Sequence, residues 1–118
     1  MKKIITALLV ALTLTNISYA QMGGFQWPSG VNTTPITVKQ ALSLRDDTKV
    51  VLRGHIVNTL GHEKYTFSDG TAEVIIDIDD EDWAGRTVTP EMTIEIFGEV
   101  NKEMFRPTEI DVDSFNIL

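Results

Sequence analysis

The segment Tyr65–Gly85, YTFSDGTAEVIIDIDDEDWAG, contains two runs rich in β-branched and aromatic residues that are joined by Asp69-Gly70. An Asp-Gly pair between such runs favours a type I′ hairpin turn, because both central residues of that turn need positive φ. With these two residues as the loop, His62 faces Asp77 across the hairpin. The alternation then predicts which side chains point into the core, namely Tyr65, Phe67, Val74, Ile76 and Ile78.

The end of this segment, Asp77–Asp82, carries carboxylates at every position except Ile78. We interpret it as the end of a strand followed by a single helical turn, with Asp79 or Asp80 as its N-cap. An EF-hand loop beginning at Asp77 would need Gly and Glu where the chain has Asp82 and Val88. We therefore expect no metal site and no catalytic acid pair here, and the alternative is weak divalent-cation binding by Asp77–Asp82.

The flanking sequence completes an all-β pattern. Thr37 and Gln40 form a capping-box signature for a short helix. Lys49–Thr59 then alternates as a first long strand, in which Gly54 permits a bulge or bend. Two further alternating segments give five strands in all, Thr93–Val100 and Pro107–Phe115. We predict a five-stranded OB-fold Greek-key barrel with a short N-terminal helix, one helical turn between strands three and four, and Trp83 plugging the core.

The N-terminus has the pattern of a secretory signal peptide, residues 1–20. Two lysines precede an apolar stretch, and Ser18 and Ala20 place small residues at a cleavage site. The apolar stretch is shorter than the about 20 residues of a membrane-spanning helix. We expect a periplasmic protein without stable membrane insertion, with a flexible arm at 21–35 that carries Phe25 and Trp27, and an OB-fold domain at 36–118.

Composition limits the functions that are open to the chain. The chain has a net charge of −7, and removal of Lys2 and Lys3 with the signal peptide leaves −9. Such a surface repels phosphate backbones, so single-stranded nucleic-acid binding is a disfavoured alternative and we expect no nucleic-acid partner. The sequence has no cysteine, which excludes disulfides, thiolate metal sites and cysteine nucleophiles. No triad or nucleophile-elbow spacing accompanies the serines and histidines, so we expect neither an enzyme nor a cofactor.

These motifs also carry a family resemblance. The set Leu52-Arg53-Gly54, Tyr65, Phe67, Asp69-Gly70, Asp77-Ile78-Asp79 and Trp83, behind a signal peptide and a Gly-Gly-Phe arm, resembles the bacterial OB-fold (BOF) family of small periplasmic stress-tolerance proteins. The resemblance implies an OB-fold and a nonenzymatic binding role in envelope stress tolerance, with a cell-wall sugar, a peptide or an envelope protein as partner. The family supplies no catalytic residues to transfer. One departure is Met104-Phe105, which makes a loop more apolar than expected.

OB-folds bind ligands across strands two and three and the adjoining loops. We therefore place a candidate site on the outward side of the first three strands, where charges of both signs and both histidines occur. His62 beside Asp77 would make such a site responsive to acid. The alternative is an ordinary solvated sheet face without an aromatic stacking platform. The candidate ligand-binding residues are Arg53, His55, His62, Lys64, Thr66, Glu73 and Asp77.

Overall fold

The computed structural model describes residues 34–118. The predicted signal peptide (1–20) and residues 21–33 of the predicted arm lie outside the described residues. Within the described part, no helix is long and apolar enough to cross a membrane. The elements in chain order are β1 (Pro35–Ile36), α1 (Val38–Ala41), β2 (Lys49–Gly61), β3 (Lys64–Ser68), β4 (Glu73–Asp77), a 3-10 turn (Asp80–Trp83), β5 (Ile94–Asn101) and β6 (Glu109–Ile117).

Five of the strands close into a barrel. Their order is β2-β3-β4-β6-β5, and β5 pairs back with β2. β4 and β6 pair in parallel, whereas the other barrel pairs are antiparallel. The short β1 adds to β2 in parallel. Strand closure in this order, with the 3-10 turn between the third and fourth barrel strands, confirms the predicted OB-fold.

Alternating residues of all five barrel strands meet inside the barrel. In β5, buried and partly exposed residues alternate without interruption. This alternation is expected for a strand with one face in the core and the other towards solvent. The expected core side of the β3–β4 hairpin is also correct, with Phe67, Ile76 and Ile78 fully buried and Tyr65 packed against the core. α1 adds Val38 and Ala41 to the same core. The expected capping box of this helix is present in full.

The predicted register of the hairpin is wrong by two residues. Lys64, and not His62, pairs with Asp77, so the connection is longer than a two-residue loop. Gly70 has the expected positive φ of 88°, but Asp69 is not among the residues with positive φ. A shift of two residues in the pairing register leaves every side chain on the same face of the sheet. The predicted core residues are therefore correct although the predicted register is not.

The tight two-residue turn lies instead between β2 and β3. Gly61 pairs with Lys64, and the intervening His62 and Glu63 have φ of 54° and 67°. Positive φ at both central positions is the requirement of a type I′ turn. Neither residue is glycine, so this turn had no recognisable signal in the sequence.

Gly54 has a different role from the predicted bulge. The register shift of β2 falls between Ile56 and Asn58. A Cβ atom built on Gly54 would lie 2.4 Å from the Ser68 carbonyl oxygen and 3.0 Å from the Phe67 ring. Glycine is required here because β3 and the Phe67 ring lie against the backbone of β2.

The acidic turn is capped by a residue from another element. Asp79 is the N-cap residue, but its side chain makes no capping hydrogen bond, so the predicted side-chain cap by Asp79 or Asp80 is wrong. The Glu63 carboxylate accepts a hydrogen bond from the Asp80 amide at 2.6 Å, and the Glu63 carbonyl accepts one from the Ile78 amide. The tight β2–β3 turn therefore supplies the cap, because it places Glu63 over the exposed amide.

Trp83 closes the core as predicted. Its ring makes edge contacts with Tyr65 and Phe115, at centroid distances of 5.4 and 5.1 Å. Arg86 fixes the segment by donating to the carbonyls of Trp83, Asp82 and Phe115. Its guanidinium carbon also lies 3.9 Å from the centroid of the Phe115 ring, within cation–π range.

Candidate functional site

A polar cleft opens on the barrel wall beside the β5–β6 loop, where the start of β3, the end of β4 and the start of β6 meet. Lys64 begins β3 and Glu109 begins β6, and their side chains join at 2.5 Å. The cleft has a volume of about 90 Å³. Its lining combines cations, carboxylates and one amide, from Lys64, Asp77, Asn101, Glu103, Arg106, Pro107, Glu109 and Asp111.

Lys64 is the central cation of the cleft. Its ammonium lies 2.5 Å from Glu109 and 3.6 Å from Asp77. The hydrogen bond to Glu109 raises the pKa of Lys64 above its ordinary value, against the opposing effect of burial. Lys64 is therefore a permanent positive charge, and it joins β3 to β4 and β6.

A third carboxylate, Asp111, stands beside this ion pair without a cation of its own at ion-pair distance among the described residues. Asp111 is the parallel neighbour of Asp77, and the carboxylate oxygens of Asp77, Glu109 and Asp111 lie within 4.8 Å of one another. Partial burial, and next the charge of Asp77, raise the pKa of Asp111. The Asn101 amide donates to Asp111 at 3.3 Å. The group is thus short of positive charge.

The β5–β6 loop forms an apolar tip beside the cleft. Met104 and Phe105 are 83% and 98% exposed, and they lie in the chain between the lining residues Glu103 and Arg106. The loop is held at its base, where the Lys102 amide donates to Asp46. Phe105 has a φ of 65°, which is uncommon for a bulky residue. Met104-Phe105, the apolar pair that departs from the expected polar loop, therefore places an exposed aromatic side chain at the edge of the polar cleft.

The structure brings only two of the seven predicted site residues together, Lys64 and Asp77. Arg53 pairs with Glu95 of β5, and His55 Nδ1 lies 3.0 Å from the Met92 carbonyl oxygen. The remaining three are separated from the cleft in different ways. His62 lies in the β2–β3 turn, Thr66 faces Asn58 and Ile75, and Glu73 begins β4 opposite Ser68.

The predicted pairing of His62 with Asp77 is wrong. Asp77 faces Lys64, because the β3–β4 loop consists of the four residues 69–72 and not of Asp69-Gly70 alone. An acid response through that pair therefore has no geometric basis.

Sequence reasoning missed the half of the cleft that comes from β5, β6 and their loop. Glu109 and Asp111 lie on the outer face of β6, because Ile110 between them is buried in the core. What brings them to Lys64 is the parallel pairing of β4 with β6, in which Ile76 lies beside Ile110. A parallel contact between strands more than 30 residues apart in this chain leaves no local pattern in the sequence.

The cleft offers both hydrogen-bond donors and acceptors, with more negative than positive groups. Lys64, Arg106 and Asn101 can donate, whereas Asp77, Glu109 and Asp111 can accept. Within residues 34–118, no hydrogen bond joins a histidine to a serine or threonine hydroxyl. The arrangement is suited to holding a polar ligand and lacks the nucleophile–base contact that covalent catalysis needs.

Comparison with known proteins gives consistent results. A model described as bacterial OB fold (BOF) protein matches residues 12–117. Protein YgiW of Escherichia coli K12 is 42% identical over 95% of this chain and 94% of its own. The calcium-regulated OB-fold protein CarO of Pseudomonas aeruginosa is 36% identical over 80% of each chain.

A solved structure supports the same assignment. The structure of the hypothetical protein ygiW from E. coli matches with a TM-score of 0.71 and 46% identity, over 81% of this chain and 99% of that one. The strand order of the barrel is that of an OB-fold, and the matches to BOF-family sequences extend over most of the chain. The chain therefore belongs to the bacterial OB fold (BOF) family.

Proposed function

We propose that the protein is a nonenzymatic ligand-binding module of the periplasm that contributes to envelope stress tolerance. The observation that carries the proposal is the polar cleft that the start of β3, the end of β4, the start of β6 and the β5–β6 loop form together. The β5–β6 loop, which lines the cleft, and the β2–β3 turn, which directly precedes Lys64, correspond to the two loops that flank the ligand-binding face of an OB-fold. The ligand class is a cell-envelope sugar or peptide that presents hydroxyl or cationic groups.

Two features of the cleft favour such a ligand. The mixture of Lys64, Asn101 and three carboxylates can satisfy a ligand that both donates and accepts hydrogen bonds, as a sugar does. The exposed Phe105 at the cleft edge gives an apolar surface against which a sugar ring or a peptide side chain can pack. The excess of carboxylates attracts cationic groups and repels phosphate backbones.

The periplasmic location is supported by the signal-peptide pattern of residues 1–20. A protein exported in this way meets cell-wall fragments and cationic peptides directly. The proposed role in envelope stress tolerance is the role that the resemblance to the BOF family implies. It is compatible with any ligand or partner that is part of the cell envelope.

A titration with isotope-labelled protein tests the ligand proposal. We expect soluble cell-wall disaccharide-peptides to shift the backbone amide resonances of Lys64, Asp77 and Glu109. Lys64→Met should weaken this binding at least tenfold, because it removes the central donor. Arg53→Gln is the matched control, since Arg53 pairs with Glu95 outside the cleft, and it should bind like the wild type.

The outcome that would reject the cleft is binding that Lys64→Met and Glu109→Gln both leave unchanged. Single-stranded DNA at low ionic strength is a separate probe. A salt-dependent shift with DNA would replace the proposal with the disfavoured nucleic-acid function. In cells, a deletion strain should lose peroxide or cationic-peptide tolerance, and the wild-type gene should restore it where Lys64→Met does not.

A divalent cation is the second candidate ligand. It is favoured by the three carboxylates of Asp77, Glu109 and Asp111 lying within 4.8 Å, and the similar protein CarO is named calcium-regulated. Of the acidic run Asp77–Asp82, only Asp77 belongs to this group of three carboxylates. The alternative of divalent-cation binding therefore concerns the cleft and not the acidic run. Lys64 competes for the same oxygens, and we therefore expect weak binding.

Thermal melting with calcium separates the two candidates. A ligand stabilises a fold only when its concentration exceeds its Kd, so weak binding predicts little change in Tm at millimolar calcium. A large rise in Tm that a chelator reverses and Asp111→Asn abolishes would favour the cation. Glu81→Gln serves as the control, because Glu81 is exposed in the 3-10 turn and lies outside the cleft.

A further inference from the structure

The second half of β2 is paired along only one of its two edges. Residues 49–54 pair with β5, and residues 55–61 pair with β3. These two neighbours lie on opposite edges of β2, because β2 closes the barrel between them. β5 begins at Ile94, which faces Gly54, and no strand within residues 34–118 continues along that edge. The side of residues 56–61 that faces away from β3 is therefore the open edge of β2.

The open edge carries two large apolar side chains in solvent. All five residues of Val57–Gly61 are exposed, with Val57 at 43% and Leu60 at 48%. Both are the extra residues at the two register shifts between β2 and β3, so neither has a cross-strand partner on β3. These side chains would lose exposed apolar area if a strand were added to the open edge.

Local side chains accept the hydrogen bonds that a neighbouring strand would accept. The Thr59 amide donates to Asn58 Oδ1 at 2.9 Å, and the Gly61 amide donates to Thr59 Oγ1 at 3.4 Å. Each amide has a single hydrogen to donate, so the amides of Thr59 and Gly61 face the open edge. An added strand would replace these exposed contacts with backbone hydrogen bonds.

The sequence of the open edge does not oppose strand association. Exposed edges in natural proteins commonly carry charged residues, especially lysine, or proline. Residues 56–61 read Ile-Val-Asn-Thr-Leu-Gly, without a charge or a proline. The two register shifts bend the strand, which limits pairing to a few residues and favours a weak association.

Charge and topology favour a second copy of this chain as the added strand. The chain has a net charge of −7, so two copies repel each other over most of their surfaces. The open edge is uncharged, and this repulsion is therefore smallest there. The chain itself enters on the opposite edge, because β1 pairs with residues 51–52, whose other edge is occupied by β5.

We propose that the open edge of β2 is the interface of a homodimer, in which Thr59 faces its counterpart in the second copy across a twofold axis. A twofold interface uses the same surface on both copies, and antiparallel pairing of β2 with itself meets this requirement. Thr59 is the middle residue of Val57–Gly61, and its amide faces the edge. Among the described residues, none from 56–61 lines the polar cleft, so the inference does not depend on the ligand of the cleft.

Sedimentation velocity of the exported protein tests the association. We expect a monomer–dimer equilibrium in which the dimer fraction rises with protein concentration. Added salt should favour the dimer, because screening weakens the repulsion between two acidic copies. A monomer at every concentration would overturn the proposal. A dimer that salt dissociates would also overturn it, since such a dimer is held by ion pairs and not by an uncharged edge.

Lysine substitutions locate the interface. Val57→Lys and Leu60→Lys each place a charge on the open edge and should raise the dissociation constant of the dimer by about tenfold or more. Thermal melting monitors the fold, which should be retained because both side chains are exposed. Met104→Lys is the matched control, because Met104 is 83% exposed on the β5–β6 loop, and it should dimerise like the wild type. A dimer that all three substitutions leave unchanged would reject the open edge as the interface.

Hydrogen exchange distinguishes a second copy from another part of the same chain. The Thr59 amide should exchange more slowly as the protein concentration rises, because pairing replaces its exposed contact with Asn58. In Val57→Lys this dependence on concentration should be lost. Protection of Thr59 that is equal at every concentration would assign the open edge to the chain's own residues and overturn the proposal.

Discussion

Asp69 links two elements that are 31 residues apart in the chain. One carboxylate oxygen accepts from the Val38 amide at the start of α1, and the other accepts from the amide and hydroxyl of Thr71. A carboxylate can hold all of these donors because it has two acceptor oxygens. This is why the Asp-Gly pair forms a longer loop than the two-residue turn that its sequence favours.

Asp69→Ala should destabilise the protein by about 1–2 kcal/mol, because it removes the acceptor of the Val38 amide in the first turn of α1 and of the Thr71 amide in the loop. Burial raises the pKa of Asp69, but the hydrogen bonds from Thr71 and Val38 together lower it. A carboxyl whose folded pKa is lowered stabilises the fold above its unfolded pKa, and this stabilisation is lost as the pH falls through the folded pKa.

Urea unfolding at pH 7 and pH 3 measures this effect. The difference between wild type and Asp69→Ala should be larger at pH 7. Thr71→Ala keeps the contact with Val38 and is expected to lose less. A difference that does not change with pH would contradict the assigned role of the carboxylate.

Gly54 is required by a close approach of two backbones. Gly54→Ala should destabilise by about 1–3 kcal/mol, since the new methyl group would meet the Ser68 carbonyl oxygen at 2.4 Å. Val57→Ala is the control on the same strand, because Val57 is exposed at the register shift. Chemical denaturation that ranks the two variants in the opposite order would mean that β3 does not pack on β2 at this point.

At the scale of elements, the tight β2–β3 turn and the acidic 3-10 turn stabilise each other. Glu63 is held at positive φ by the turn, and its carboxylate caps the Asp80 amide. The acidic residues of the 3-10 turn lie near its N-terminal amides, where negative charge is favourable. The carboxylate run therefore has a structural explanation, although the capping group comes from outside the run.

Glu63→Ala should cost about 0.5–2 kcal/mol through loss of this cap, while Asp79→Ala should cost less because its side chain makes no capping bond. Thermal melting of the two variants gives the comparison. Equal losses would show that the cap is shared, and a larger loss for Asp79→Ala would restore the prediction made from sequence.

Across the whole molecule, the cleft joins β3, β4 and β6 through charges that do not balance. Lys64 compensates Asp77 and Glu109, and Asp111 adds a further negative charge. A carboxyl whose folded pKa is raised favours the fold when it is protonated, so its ionisation weakens the fold as the pH rises. The ionised Asp111 therefore destabilises the fold at the place where the barrel is proposed to bind its ligand.

Asp111→Asn should therefore raise Tm at pH 7, by an amount equivalent to less than about 1 kcal/mol because water screens this exposed group. At pH 4 the gain should shrink, since the wild-type carboxyl becomes partly protonated there. Asp113→Asn, two residues further along β6, is the control for the loss of one negative charge. Calorimetry that shows a lower Tm for Asp111→Asn at pH 7 would contradict the raised pKa of Asp111.

The sequence by itself determined the barrel class, the helix cap, the faces of the strands and the role of Trp83. These features depend on local information: a period of two, a capping box and an apolar residue after a turn. The cleft depended on the tertiary structure. Its two halves meet through the parallel β4–β6 contact, and the turn that sets the register has two non-glycine residues at positive φ. Such conformations are imposed by the closed barrel against local preference, so no local pattern in the sequence records them.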